Sequence, residues 1–366
     1  MNLIRDFSII IKEIVKYCTS KELNLLSSAK IHLLGKWLLL NCSNFLITSS
    51  NMKATKSSTS SSSNNNDQLV DTVKNAKLFL NQNNELCAAS QFINPIFKDR
   101  YLPILDTKWM PAKDLIAEEK CINILKELRM RNCLQLKVDE IIDLYEHSAK
   151  QSDANRRLLA ELIVDMLMNR YQEANNLSQP TPTATQQPDT SSIEKLLNEY
   201  STTKAVTLRH FLMSVNWIPL QHERPQSYPQ SLIWKGAELS PASGDIKIRY
   251  SSPRDCVDTQ YAYCVGSVTC VSSLDIPVEL KPFIDLKQVN LDNVVRHLKL
   301  TTKCFQSSAL KAEWYDYLTV AKRCYEYMST YEAQDIFREL KANDLSEWIW
   351  NGAGFSTNGS NNLITE

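Results

Sequence analysis

Residues 217–236 read WIPLQHERPQSYPQSLIWKG, and this stretch decides how the second half of the chain is organised. We call it the aromatic ribbon. Its three prolines forbid a continuous helix and bias the residues before them toward extended backbone. The large rings of Trp217, Tyr228 and Trp234 need a partner surface that excludes water. The pattern therefore predicts an extended crossover whose buried rings hold it against a domain. We call this arrangement a structural clasp, and it differs from a ribbon that lines the wall of an active-site cavity.

Outward from the ribbon, the apolar pattern predicts both strands and helices. Residues 245–250 and 262–271 are predicted as strands, the first from its alternation and the second from its valines, with a turn at Pro253. Apolar residues at spacings of three and four predict helices at 3–18, 31–47, 114–130, 138–149, 154–174, 291–298, 310–328 and 336–340. Ser191 and Glu194 form a capping-box pattern that predicts a further short helix. The predicted class is α+β, predominantly helical, with a small, mostly antiparallel β-sheet in the second half.

Two polar segments predict the domain organisation. Residues 49–68 are rich in Ser and Asn and cannot bury enough apolar surface to offset the entropy of ordering, so a disordered linker is expected. Residues 178–192 are rich in Pro, Thr and Gln and are predicted as a second linker. The remaining predicted parts are a helical segment at 1–48, a helical subdomain at 69–177, an α+β subdomain at 193–355 and a disordered tail at 356–366.

Composition excludes several classes of function. Lys and Arg number 41 and Asp and Glu number 41, so no net charge recruits a polyanion, and no basic cluster interleaved with aromatic residues is present. Nucleic-acid binding is not expected. Charged residues interrupt the apolar N-terminus before a secretory signal can form, and residues 31–47 carry too many polar side chains for a membrane span. The ten cysteines include no Cys-x-x-Cys pair, which predicts reduced thiols in the cytoplasm and not a disulfide framework.

Motifs for catalysis or cofactors are weak. The seven glycines form no phosphate-binding loop, and the Gly-x-Gly at Gly352 and Gly354 is predicted as a turn near the terminus. The five histidines have no metal-ligand spacing. Two of them, His210 and His222, bracket the ribbon and could meet Cys256 or Cys264, although core or surface roles are favoured.

Two charged groups are candidate sites. Asp139, Glu140 and Asp143 could form a carboxylate pair, but a solvated helix face is the simpler interpretation. Arg224 could recognise a carboxylate or phosphate, and stacking on Tyr228 or Trp217 is an equal alternative. We therefore predict no catalytic, cofactor-binding or metal-binding residue, no cofactor, and a protein that is not an enzyme.

Several motifs, in chain order, resemble the repeat regions of the sacsin family of giant co-chaperone-like proteins. They lie between Val70 and Phe355, and the ribbon is the most specific of them. The matching segments are Ile124–Met130, Trp217–Leu220, Arg224–Pro225, Tyr228–Pro229, Leu232–Gly236, Ser252–Asp255, Val265–Val268 and Trp350–Phe355. In the first segment Arg129 stands where the family pattern has glycine.

The resemblance implies the non-ATPase part of one repeat, a fragment of a larger protein. Such proteins pair their repeats with a chaperone-type ATPase module, and sacsin also carries a J domain; neither module is expected in this chain. The first functional hypothesis is a chaperone or co-chaperone segment that binds client or partner proteins, or heat-shock machinery, in cytoplasmic quality control. The alternative is an architectural spacer that orients neighbouring modules and has no ligand of its own.

Overall fold

The computed structural model describes residues 26–41, 72–148, 152–177, 191–236, 248–307, 313–351 and 354–357, together with Ile9, Glu13 and Lys16. Four of the predicted segments fall largely outside these ranges: the helix at 3–18, the linker at 49–68, the linker at 178–192 and the tail at 356–366. Residues 245–247 of the first predicted strand also lie outside the described residues.

Helices dominate the described chain, as predicted. In chain order they are α1 (Ser28–Asn41), α2 (Lys113–Ile116), α3 (Glu119–Glu127), α4 (Val138–Ser148), α5 (Asp153–Leu177), α6 (Ser191–Leu197), α7 (Leu208–Ser214), α8 (Ala262–Val265), α9 (Leu291–Ser307), α10 (Trp314–Met328) and α11 (Ala333–Ala342). Short 3-10 turns occur at Ala89–Gln91, Asp99–Ile104, Thr107–Trp109, Cys133–Gln135, Pro253–Asp255 and Thr259–Tyr261. Within the described ranges, every helix is too short or too polar to cross a lipid bilayer.

The prediction of one helix over 114–130 is wrong, because the chain forms two helices there. Glu118 has extended backbone (φ −105°, ψ 99°) and separates α2 from α3. At its far end α3 stops in a Schellman motif: Met130 N–H donates to Leu125 O at 2.8 Å, and Arg129 N–H donates to Lys126 O at 2.9 Å. Arg129 is left-handed at φ 65°. The residue that departs from the family's glycine therefore occupies a position where glycine is favoured.

Among the described residues, the strands are short and pair in four separate ladders. They are β1 (Phe79–Leu80), β2 (Leu86–Cys87), β3 (Ile218–Pro219), β4 (Tyr250–Ser251), β5 (Cys256–Val257), β6 (Cys270–Val271), β7 (Glu347–Trp350) and β8 (Phe355–Thr357). The pairs β1–β2, β3–β4 and β7–β8 are antiparallel, and β5–β6 is parallel. The class is α+β and mainly helical, as predicted.

The prediction of a strand over 262–271 is largely wrong. Residues 262–265 form α8, a turn follows, and only Cys270 and Val271 are in a strand. The valines at 265, 268 and 271 are three residues apart. That spacing places side chains on one face of a helical turn, whereas a strand face repeats every second residue.

The chain divides into two compact units, residues 1–144 and 145–366, which we call the N-terminal and C-terminal units. In the N-terminal unit, α1 packs on β1 and α3. Leu38, Leu39 and Phe79 are fully buried there with Leu125 and Leu128. The predicted helix at 31–47 thus packs one face into this core as far as Asn41, and residues 42–47 lie outside the described residues.

In the C-terminal unit, the core is built from the ribbon, the β5–β6 pair and helices α8, α9 and α10. The start of α5 holds the neighbouring β4. Tyr250 OH donates to Asp153 O at 2.9 Å, and the Arg156 guanidinium lies 3.7 Å from the centre of the Tyr250 ring. These contacts place β4 beside β3, the first strand of the ribbon.

Candidate functional site

The aromatic ribbon puts its three large rings into the core of the C-terminal unit. Trp217, Tyr228 and Trp234 expose 2%, 1% and 4% of their surfaces. Each polar tip donates to a main-chain carbonyl: Trp217 Nε1 to Leu212 at 2.9 Å, Trp234 Nε1 to Gln221 at 2.9 Å, and Tyr228 OH to Ile233 at 3.2 Å. Burial raises the pKa of Tyr228 well above its ordinary value. The three rings are therefore buried, as predicted, and the clasp itself stays a prediction.

The indole of Trp234 lies directly on Gly266, inside the Val265–Val268 motif. A Cβ atom at Gly266 would lie 2.0 Å from Cζ3 of Trp234, far inside van der Waals contact. The Lys235 N–H donates to Gly266 O at 2.9 Å, so main chain and ring are both fixed at this point. Two motifs 30 residues apart in the sequence are therefore one packing unit, and it requires a residue without a side chain at 266.

A buried histidine lies beneath this contact. His297 on α9 has no exposed surface. Its Nδ1 accepts from Ser267 Oγ at 2.5 Å, and its Nε2 donates to Tyr263 O at 2.8 Å. The Tyr228 ring stacks on the imidazole with 6.2 Å between centroids. Burial lowers the pKa of His297 to about 4, against a smaller opposite effect of the Tyr263 carbonyl. The imidazole is therefore neutral near pH 7.

This serine and histidine are arranged for structure and not for nucleophilic catalysis. A base that activates serine must become positively charged, and an orienting carboxylate usually stabilises that charge. Here a neutral carbonyl occupies Nε2, and burial opposes protonation. Ser267 is itself 2% exposed, so substrate has no access to its hydroxyl. The pair joins α9 to the turn after α8.

Sequence reasoning missed the pairing of Ser267 with His297. One signal was present: position 297 falls on the apolar face of α9 with Val294, Leu298 and Thr301, where a histidine needs two internal partners. The sequence could not identify those partners, which lie 30 and 34 residues away.

Arg224 has a role that neither sequence interpretation anticipated. Its Nη1 donates to Pro229 O at 2.7 Å and to Gln230 O. Between these positions Ser227 is left-handed at φ 57°. The guanidinium thus closes a turn within the ribbon by binding two of its carbonyls.

The N-terminal unit contains a cleft of about 470 Å³. It is lined by His32, Leu80, Asn81, Gln82, Asn83, Asn84, Thr107, Ala112, Lys113 and Asp114. His32 Nε2 lies 3.1 Å from both carboxylate oxygens of Asp114, and Lys36 Nζ lies 3.1 Å from one of them. Burial acts to raise the pKa of Asp114, but the His32 and Lys36 donors outweigh it, so the pKa is below its usual range.

The charged groups of this cleft hold neighbouring helices and strands together. His32 Nδ1 accepts the Leu80 N–H at 2.9 Å, so Nε2 carries the proton that is donated to Asp114. Both ring nitrogens are occupied, which leaves neither as a general base. The contact ties α1 to β1 and α2, and the amide-rich lining offers no nucleophile beside the histidine.

The remaining candidate histidines and cysteines do not come together in one site. His147 and His210 are exposed, and His222 Nε2 lies 3.6 Å from Glu223. Cys256 and Cys264 donate to the carbonyls of Ser252 and Arg323 and not to either histidine near the ribbon. Within the part of the chain that the structure describes, eight cysteines are free thiols, and no group of three or more His, Cys, Asp or Glu side chains could hold a metal ion.

The acidic cluster on α4 is not a simple solvated face. Glu140 forms a bidentate pair with Arg131, with both N–O distances at 2.8 Å and both side chains mostly buried. Asp143 lies 3.6 Å from Lys108 Nζ. The solvated-face interpretation is therefore wrong for Glu140. Its carboxylate fixes the segment before α4, since it also accepts the Lys137 N–H.

Gly354 lies in the turn of the β7–β8 hairpin, and a turn was the prediction for this glycine. The Asn351 N–H donates to Gly354 O at 3.0 Å, and the Asn351 side chain accepts the Gly354 N–H at 3.0 Å. A Cβ atom at Gly354 would lie 2.9 Å from Phe305, whose ring packs edge-to-face with Trp350 and Phe355. The hairpin thus serves to pack an aromatic cluster on α9.

Exposed apolar side chains occur where the ribbon meets α10. Trp314 and Tyr315 expose 48% and 61% of their surfaces and pack edge-to-face at 5.8 Å. Ser231 Oγ donates to Glu313 Oε2 at 2.7 Å, which fixes the ribbon at the start of α10. Ile233, two residues further along, is 58% exposed. We call Trp314 and Tyr315 the exposed aromatic patch.

Comparison with curated proteins finds a match to human sacsin that is 30% identical over 148 residues. The match covers 39% of this chain and 3% of sacsin, so the chain spans a small part of the length of that relative. No family model matches the chain. No solved structure matches it either. The chain therefore contains a region related to sacsin, over less than half of its length.

Proposed function

We propose that this chain is a protein-binding segment of chaperone or co-chaperone type, which holds client or partner polypeptides through the exposed aromatic patch. Trp and Tyr supply large, rigid contact areas and are enriched among the residues that dominate protein interfaces. The partial similarity to sacsin supports a chaperone context. The proposal places this activity in the cytoplasm and includes no catalytic step and no ATPase site.

The observation that carries the proposal is the exposure of Trp314 and Tyr315. Trp217, Tyr228 and Trp234 of the ribbon are each more than nine-tenths buried, so their rings offer no contact surface to a partner. Trp314 and Tyr315 are about half exposed at the start of a well-packed helix. Helix α10 is fixed by its buried residues Tyr317, Val320 and Ala321. The pair is thus presented on a rigid support, which reduces the entropy lost on binding.

The test is a client-aggregation assay with the full chain. Thermally aggregating citrate synthase, followed by light scattering, is the probe. We expect the chain to suppress aggregation, and the double substitution Trp314→Ala with Tyr315→Ala to weaken suppression by about tenfold, since two interface aromatic residues are removed. Phe337→Ala is the matched control, because Phe337 is 53% exposed on a different helix. Equal suppression by all three proteins, or none by any, would contradict the proposal.

A second candidate function is favoured by a specific observation. The ribbon is the motif that most resembles the sacsin repeats. All of its large rings are buried in the chain's own core. That is the pattern of an architectural spacer. The same assay separates the two candidates: a spacer shows no client suppression and no effect of the Trp314 and Tyr315 substitutions, while its stability still depends on the ribbon.

A further inference from the structure

Two thiols lie opposite each other where strand β5 pairs with strand β6. Cys256 and Cys270 are direct partners in the parallel register of this pair. Neighbouring strands of a sheet run about 4.8 Å apart. A disulfide joins residues whose Cα atoms are about 4.4–6.8 Å apart, so the main chain at this pair already has the spacing that the bond needs. Both residues are thiols in the structure.

The two cysteine side chains share one face of the β5–β6 pair. Successive side chains of a strand alternate between faces. Val257 and Val271, the next partners in the register, lie in the apolar core, so Cys256 and Cys270 occupy the opposite face. There Cys256 is fully buried and donates to Ser252 O at 3.5 Å, whereas Cys270 is partly exposed. A reagent from solvent therefore has one thiol of the pair within reach.

We propose that Cys256 and Cys270 are a dithiol modification site, which a low-molecular-weight disulfide such as oxidised glutathione converts reversibly to an intramolecular disulfide. Side-chain rotation and a small approach of the strands complete the bond, because the paired Cα atoms are already within its range. Each strand is two residues long, so few pairing contacts oppose that approach. No part of this inference depends on client binding.

Exposure assigns the roles of the two sulfurs. Cys270 attacks first, because it is the partly exposed member of the pair. Burial, with the neighbouring Cys270 as the next contribution, raises the pKa of Cys256 to about 12. A thiolate at Cys256 is therefore scarce at neutral pH, and Cys256 acts as the resolving thiol. Its position opposite Cys270 offsets this low reactivity, since the second step is intramolecular.

Atoms and electrons balance over two exchange steps. The Cys270 thiol loses its proton to water, and the thiolate attacks one sulfur of glutathione disulfide. A new S–S bond forms, the original S–S bond breaks, and one glutathione thiolate leaves and takes up a proton. Cys256 then loses its proton and attacks Sγ of Cys270, which displaces the second glutathione as a thiolate that is protonated in turn. Two cysteine thiols are oxidised, and one glutathione disulfide is reduced to two glutathione molecules.

The bond would close a loop of 14 residues (270 minus 256) beneath the ribbon. This loop contains α8 and the Val265–Val268 turn, where the indole of Trp234 lies on Gly266. Strand β6 also contacts the ribbon directly, because the Gln221 N–H donates to Val271 O at 2.9 Å. Closing the loop restricts the unfolded chain, so oxidation should lower the equilibrium constant for unfolding by about a hundredfold.

Two other cysteines serve as internal controls. Cys87 is partly exposed and lies in a strand, as Cys270 does, but its direct partner across β1–β2 is Phe79. Oxidised glutathione should therefore leave Cys87 as a glutathione adduct and not as a crosslink. Cys264 lies in the same loop as the proposed site but is only 6% exposed, and it should remain a thiol.

The experiment treats the reduced full chain with oxidised glutathione at neutral pH, blocks remaining thiols by alkylation in urea and maps chymotryptic peptides without reduction. Chymotrypsin cuts after Tyr261 and Tyr263, between the two cysteines, so the crosslink joins two separate peptides. We expect Cys256 joined to Cys270, with Cys264 alkylated. Urea unfolding of the oxidised and the reduced chain then measures the stabilisation, which dithiothreitol should reverse.

Serine variants test the assigned roles. Cys270→Ser should abolish the link and leave Cys256 alkylated, and Cys256→Ser should retain glutathione on Cys270. Cys264→Ser should preserve the link.

The wild-type peptide map decides the matter even where a serine variant folds poorly. An unlinked pair at the end of the treatment, with Cys270 as a thiol or as a stable glutathione adduct, would overturn the proposal. A first crosslink that involves Cys264 would overturn it as well. Equal urea midpoints of the oxidised and reduced chains would overturn the predicted stabilisation.

Discussion

His297 shows how much a single buried residue can determine in this molecule. Its two ring nitrogens are matched by Ser267 and Tyr263, and its face is covered by Tyr228. One imidazole thus connects α9, the turn after α8 and the ribbon. Because both partners suit the neutral ring, protonation must break a contact or place a charge in an apolar core.

Stability should therefore depend on pH through His297. The folded pKa is about 4 and the unfolded value is 6.5, so between these values the unfolded chain binds a proton that the folded chain does not. The free energy of unfolding must fall as the pH is lowered from 6.5 to 4, by up to about 3 kcal/mol, and level off below.

Urea unfolding at a series of pH values measures this effect. The control is His297→Gln, whose side chain can accept from Ser267 and donate to Tyr263 without titrating in this range. The variant should lose this part of the pH dependence, although its stability at neutral pH differs. An unchanged slope in the variant would show that other groups cause the acid sensitivity.

At the residue scale, the sequence predicts burial correctly where the type of side chain alone determines it. Burial of Trp217, Tyr228 and Trp234 could be predicted because large rings between prolines must find apolar cover. The partners of Arg224 and His297 could not be predicted. Hydrogen-bond partners depend on which segments meet in space, and local sequence does not encode this.

At the scale of single elements, the end of α3 is the most informative case. Arg129 occupies the left-handed position of a Schellman motif, where a residue with a Cβ atom is strained. Arg129 is exposed, so its side chain can be removed without opening the core.

We therefore expect Arg129→Gly to stabilise the chain by about 1 kcal/mol. The matched control is Lys126→Gly, an exposed position three residues earlier within α3, where glycine should cost about 1 kcal/mol. Urea midpoints of the two variants should move in opposite directions. A midpoint for Arg129→Gly that falls together with that of Lys126→Gly would contradict this explanation.

The elements also show where periodicity succeeds and fails. The long helices α5 and α10 could be predicted because their apolar stripes persist over several turns. The break at Glu118 and the helical turn of α8 could not be identified, since each depends on a few residues. Over such short spans, valines three apart are compatible with a poorly formed strand or with one helical turn, and packing against Trp234 decides.

At the scale of the whole molecule, the chain forms two compact units with separate cores. The helix-rich α+β class could be predicted from the balance of periodic segments. Which distant motifs pack against one another could not be predicted. The ribbon, the Val265–Val268 turn and the residues Trp350 and Phe355 are far apart in sequence, yet all of them pack in one core around α9.

That packing is the basis of the clasp, and the Trp234–Gly266 contact is one of its tightest points. Gly266→Ala should cost about 3 kcal/mol in the wild type, because its Cβ would lie 2.0 Å from the indole. In a Trp234→Ala background the clash with the indole is gone and only the approach to Ala262 O at 2.7 Å remains, so the larger part of this cost should vanish. Gly354→Ala, which instead meets Phe305, is the control for a glycine elsewhere in the same unit.

The most direct test is the double-mutant cycle between Trp234→Ala and Gly266→Ala, measured by urea unfolding of all four proteins. A ribbon seated on the Val265–Val268 turn predicts a coupling of about 2 kcal/mol or more, while Trp234→Ala and Gly354→Ala should be additive. Additive effects of Trp234→Ala and Gly266→Ala would mean that the indole does not rest on this turn, and the clasp would be contradicted.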